Sequence, residues 1–198
     1  MNIIKYGKAI AAALRNERYK LSDGGVLLFN DSLRLQGVGE YLEGVNGRDW
    51  RVHRNLLVDQ GLIFDLNVTF GNLAKITTWY LAPFSGAATP ANTWTAANFT
   101  ANASEIVSGT EGYAETTRVA VAFVNAAAAT QIDNYAAKSV FTIVTASSLS
   151  VTGIGLLSLS TKGGTTGTLM SATKFGTTRV LQNADVWNVG YRVVLASS

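Results

Sequence analysis

The stretch Val186-Trp-Asn-Val-Gly-Tyr-Arg-Val-Val-Leu-Ala196 (VWNVGYRVVLA) carries the clearest pattern in the chain. Trp187, Val189, Tyr191, Val193 and Leu195 alternate with Asn188, Gly190 and Arg192. A strand with one buried face requires that period of two. Working back from it, the same period predicts strands over Ile76 to Phe84, Thr117 to Val124, Ser139 to Thr145, Leu149 to Ser160 and Thr168 to Phe175. Several short strands rich in Thr and Val, separated by turns, predict an all-β antiparallel sandwich. One helix is expected, with Asn55 as N-cap of Leu56 to Leu66 and Leu56, Leu62, Ile63 and Leu66 on one face. Gly61 weakens it by about 1 kcal/mol relative to alanine. A single helix does not cover both faces of a parallel sheet, so the antiparallel reading stands. Ala87 to Tyr113 forms a long polar connection containing Trp94 and Phe99, and such connections are functional or packed by their own aromatics.

Leu159 to Leu169, LSTKGGTTGTL, has the residue types of a phosphate loop in the wrong order. A phosphate loop ends in the lysine and hydroxyl and opens a helix whose free N–H groups face the phosphates. Here Lys162 precedes Gly163 and Gly164, and the following residues continue as a strand. The segment is therefore expected to turn the chain between two strands.

Charge divides the 198 residues unequally. Residues 1–54 hold nine Lys/Arg, six Asp/Glu and no threonine, whereas residues 55–198 hold seven of each charge, so the net charge of +3 lies in the first part. The expected organisation is a basic N-terminal arm, 1–54, followed by a β-sandwich domain, 55–198. Ile3, Tyr6, Ile10 and Leu14 recur at helical spacing in the arm. Residues 1 to about 50 hold too little apolar surface to fold alone and are expected to order against something else. The apolar run Ala9 to Leu14 is shorter than a signal-peptide core and is followed by charges, and no run has the length of a membrane span. The chain has no cysteine, which removes disulfides and thiolate metal sites.

Catalytic patterns are sparse. The one histidine, His53, lacks the further ligands of a zinc site and a recognisable nucleophile partner. Glu105, Glu111 and Glu115 are read as exposed loop acids rather than a glycosidase pair. Asp59 and Asp65 do not share a helix face. The expectation is a non-enzymatic protein with no cofactor, metal or small-molecule substrate. Arg48-Asp-Trp-Arg-Val-His-Arg54 interleaves cations with an aromatic, a pattern that serves nucleic-acid binding or contact with an acidic protein surface. An acidic protein surface, or this chain's own Asp/Glu, is the expected partner, because arginine pairs carboxylates in two-point contacts and stacks on tryptophan. The expected interface residues are Ile3, Ile4, Ile10, Leu14, Arg48, Trp50, Arg51 and Arg54.

Three further stretches carry a resemblance: Trp79, Tyr80 and Phe84 in TTWYLAPFSG; Tyr113, Glu115 and Arg118 in TEGYAETTRVAVAF; and the turn Ser160 to Gly167. With Asn55 to Gly71 they make residues 50–198 similar to tailed-bacteriophage virion structural proteins, in particular head decoration, or cement, proteins. That resemblance implies a jelly-roll-like sandwich that binds the outside of the capsid, clamps neighbouring major capsid subunits and stabilises the head. It also implies a homo-oligomer located in the virion and assembled in the host cytoplasm; from the residues themselves no membrane partner is expected and nucleic acid is the less favoured partner. A tail-fibre or baseplate receptor-binding module is the alternative it leaves open.

Overall fold

The computed structural model describes residues 19–21, 27–29, 35–125 and 130–197, with backbone alone at 19–38 and 195–197. Two compact units divide the chain: residues 1–37 with 195–198, and the body Val38–Val194. In the first, β1 (Tyr19–Leu21) pairs antiparallel with β2 (Leu27–Phe29), Tyr19 opposite Phe29.

The body is an antiparallel β-sandwich with two short helices. Its first sheet runs in the order β4 (Arg48–Arg54), β3 (Leu35–Val45), β13 (Val186–Ser197), β10 (Ser139–Val144), β7 (Gly112–Tyr113), and β9 (Gln131–Asp133) also pairs with β13. The second runs β5 (Leu56–Leu57), β12 (Leu169–Leu181), β11 (Leu149–Leu157), β6 (Trp79–Phe84), β8 (Val119–Val121). The predicted strands are present, and β13 buries Trp187, Val189 and Tyr191 as its alternation demands. These residues meet Tyr41, Phe141 and Ile143 of their own sheet and Leu81, Ile154, Leu156, Met170, Phe175 and Leu181 of the other. Trp187 joins the layers, its ring 5.1 Å from Phe141 and 6.4 Å from Phe175.

Residues 38–54, expected in the arm, belong instead to the sandwich. Tyr41 and Glu43 of β3 are fully buried, and β4 pairs with β3 through Leu42 opposite Val52 and Tyr41 opposite His53. The charges of β4 hid its period of two.

The expected helix is shifted. Leu56 and Leu57 pair with Ala172 and Ser171 of β12, and α1 runs Asp59–Thr69 with Val58 as N-cap. Asn55 does not cap it; its Nδ2 donates to the Tyr191 hydroxyl at 2.7 Å. Gly61 is a close approach to β12, since a Cβ there would lie 2.4 Å from the Met170 carbonyl oxygen. Beside it Gln60 ties three elements together. Its Oε1 accepts from the N–H groups of Ala96 (2.9 Å) and Leu169 (2.8 Å), and its Nε2 donates to the Gly167 carbonyl at 3.3 Å. Gln60→Ala strands both amides and is expected to cost about 1–3 kcal/mol in urea unfolding. A change below ~0.5 kcal/mol, the scale of ordinary surface substitutions, would show that Gln60 is dispensable.

A second helix, α2 (Ala96–Ala103), lies within the long connection. Its start is fixed by the Thr95 N–H donating to Asn98 Oδ1 at 2.8 Å. Phe99 and Trp94 pack edge-to-face with each other and with Phe84 at 6.0–6.3 Å. Together with Val58, Ala82, Leu157, Leu169 and Ala172 they bury the outer face of the second sheet. Gly153 and Gly155 of β11 make room, because a Cβ would stand 2.2 Å from Phe84 or 2.6 Å from Phe99. The connection is thus packed by its own aromatics.

LSTKGGTTGTL joins the neighbouring strands β11 and β12, with Gly163 and Gly167 at φ 69° and 89°. Arg118 holds it: the backbone N–H donates to Ser160 O (2.7 Å), Nη1 to Leu159 O (3.0 Å) and Nη2 to Gly164 O (3.1 Å). Lys162 turns inward, donating to Tyr113 O at 2.9 Å with its ammonium 3.5 Å from the Tyr113 ring centroid.

Candidate functional site

With the outer face of the second sheet covered, the outer face of the first becomes the place to look. β4 is the terminal strand of that sheet, and from Trp50 onward its residues alternate, Trp50, Val52 and Arg54 exposed and Arg51 and His53 half-buried. The Asn55 N–H donates inward to Gly39 O at 3.0 Å. In an antiparallel ladder the next wide pairs then direct the backbone groups of Arg54 and Val52 away from β3. Arg54 O accepts from Thr173 Oγ1 at 2.7 Å. Among the described residues, no group pairs with the outward N–H and C=O of Val52. The edge is short and flanked by arginines, which discourages unspecific strand addition.

Trp50 is 43% exposed and packs against Gly44 of β3, where a Cβ would stand 2.5 Å from the indole. The glycine leaves room for the ring against the sheet. Lys138 Nζ sits 4.9 Å from the Trp50 centroid and donates to Tyr135 O at 2.6 Å. Tyr135 covers Gly190 of β13, with Cδ1 2.7 Å from the position a Cβ would take. Its hydroxyl donates to Glu40 Oε1 at 3.1 Å, and the Arg192 guanidinium stands 5.2 Å from its ring while also pairing with Glu40. Burial and the Glu40 charge push the Tyr135 hydroxyl well above its usual range, so it stays a neutral donor. The result is a band of Trp50, Val52, Lys138, Tyr135 and Arg192, with Arg48 and Arg54 exposed on the same strand as Trp50 and Glu40 engaged within it.

Beneath β4 lies a buried polar centre. Glu43 accepts from Arg179 Nη2 at 2.6 Å and Nε at 2.9 Å, from Trp187 Nε1 at 2.8 Å, and faces His53 Nε2 at 3.3 Å. Arg179 Nη2 also donates to Asp49 O at 2.8 Å and Nη1 reaches the Asp49 carboxylate. Burial pushes the Glu43 carboxyl up, but the hydrogen bonds of His53, Arg179 and Trp187 outweigh it and hold the group below its usual range. This centre fixes the hairpin that carries Trp50.

Of the expected interface residues, Arg48, Trp50 and Arg54 are exposed on β4, whereas Arg51 is half-buried and pairs with Asp49 at 2.9 Å. Ile3, Ile4, Ile10 and Leu14 lie outside the described residues. His53 stacks on Phe175 at 4.2 Å. The three glutamates each have their own hydrogen-bond partners. Glu111 accepts from Thr145 Oγ1 (2.7 Å) and Ala146 N (3.0 Å), and Glu115 from Thr142 N (3.0 Å). Glu105, expected at the surface, is buried and takes a two-point contact from Arg118 at 2.8 and 2.7 Å. Tyr135, Lys138 and Arg192 were not expected in the band; lone Gly190 in a strand pattern was the available signal of a close approach.

No protein-family model matches the chain, and no curated protein matches it.

Proposed function

We propose that this protein is a bacteriophage head decoration protein that lays the Trp50 face of its first sheet on the capsid surface and clamps neighbouring major capsid subunits. The observation that supports it best is the exposed Trp50 indole packed against Gly44 with Lys138 over its ring, on a strand that also exposes Arg48 and Arg54. Trp, Tyr and Arg are the side chains that dominate protein–protein hot spots, and a sandwich presents them on a backbone that is already ordered. The local excess of cations suits an acidic ridge on the capsid. Copies bound across a lattice turn ordinary contacts into firm attachment through effective concentration. In this reading the protein acts by binding, catalyses nothing and needs no cofactor. The resemblance of Trp79, Tyr113, Arg118 and the Ser160–Gly167 turn to virion proteins points the same way.

The test adds wild-type and Trp50→Ala protein to undecorated heads and measures the bound fraction. Loss of a hot-spot tryptophan costs at least about 2 kcal/mol, about 30-fold in Kd, with the fold intact. Binding by wild type should also weaken as salt screens the cations over about 8–10 Å. Equal affinity of the two proteins would remove Trp50 from the interface, and tail binding would favour a baseplate or fibre role.

A further inference from the structure

Helix α1 turns Gly61 onto β12, and Phe64 packs on Trp79 at 5.6 Å. Its other side should be polar if it faced only water. Instead Leu62, Ile63 and Leu66 are 42%, 58% and 59% exposed, and Phe70 and Leu73, just past its end, are 85% and 49% exposed. Ile63, Leu66 and the C-cap residue Phe70 follow one another at intervals of three and four, the spacing of a seam that receives a second helix.

We propose that this face is a self-association surface, on which α1 of one copy pairs antiparallel with α1 of a second about a two-fold axis near Leu66. The exposed side chains together offer roughly 500 Å² of mostly apolar surface per copy, taking large side chains at ~200 Å² each. Two copies therefore bury about 1,000 Å², the lower bound for a specific interface before any rim is counted. An isologous contact uses the same patch twice, so no complementary surface elsewhere is needed. Antiparallel pairing sets the N-terminal end of each helix, bearing Asp59, against the C-terminal end of the other. Opposed helix dipoles then meet at both ends. The inference is independent of the capsid reading, since α1 contributes nothing to the Trp50 band.

Sedimentation of the full chain over a range of concentrations tests it. Wild type is expected to show a monomer–dimer equilibrium, and Leu66→Glu with Phe70→Glu is expected to remain monomeric at least tenfold above the wild-type midpoint while keeping its circular dichroism spectrum. The absence of cysteine allows a second test. Leu66→Cys under mild oxidation should give a covalent dimer, and Val180→Cys, exposed on β12, should not. A monomeric wild type, a dimer that survives the two glutamates, or equal cross-linking at both positions would overturn the proposal and assign the α1 face to another occupant.

Discussion

Arg118→Met is expected to lower stability by about 3–5 kcal/mol, because it leaves a buried carboxylate without its partner. Arg118 and Glu105 are fully buried as side chains, and the guanidinium contacts both carboxylate oxygens. The same group holds Leu159 O and Gly164 O, so the β11–β12 connection loosens with it. Removing the pair together has a different result. Arg118→Met with Glu105→Leu should recover most of the loss, since apolar replacement of a whole buried pair is close to neutral; the remainder reflects the two loop carbonyls and the Thr100 hydroxyl, which donates to Glu105 at 2.8 Å. Urea midpoints of the single and double variants decide it. A single variant within 1 kcal/mol of wild type would mean that water or a neighbour replaces Arg118.

Glu43→Gln should cost a similar amount, about 3–5 kcal/mol near neutral pH, by leaving Arg179 short of its main counter-charge. Arg179 is 4% exposed and contacts Glu43 through Nε and Nη2. The exposed Asp49 carboxylate compensates in part. The effect has a defined pH dependence. Because Glu43 is held below the usual carboxylate range in the folded state, its stabilisation is complete above the unfolded value of about 4.3 and is lost as pH falls through the lowered folded value. The gap between wild type and Glu43→Gln is therefore expected to close as pH falls below about 5. A gap that persists unchanged into strong acid would show that Glu43 is not the ionised partner of Arg179.

Alternation exposed most of the sandwich before the structure did. β13 and β10 bury alternate residues, and their period of two is plain in VWNVGYRVVLA and SVFTIV. The same rule failed in β3 and β4 for a physical reason. Their inward positions include Glu43 and His53, paired with Arg179 and stacked on Phe175, so burial there does not follow hydrophobicity. Reading 38–54 as a basic arm mistook a buried ion network for a solvated one. Helix α1 was misplaced because Leu56 and Leu57 extend its apolar run while pairing as a strand, and Val58 rather than Asn55 precedes the first turn. For α2 the signals were present, Thr95 and Asn98 at the start and Ala96, Phe99 and Ala103 on one face, but eight residues in a polar stretch gave too short a period. Trp50 stood out within its basic run, whereas Tyr135, Lys138 and Arg192 come from distant elements and are joined to it only by the register of the sheet and two glycines.

Imaging the intact particle at a resolution that separates strands tests the central claim most directly. The account predicts density for the sandwich on the outside of the head, with β4 and the Trp50 face against the major capsid protein and the Trp94–Phe99 layer turned away. Density for this protein on the tail, or on the head with the Trp50 face open to solvent, would contradict it.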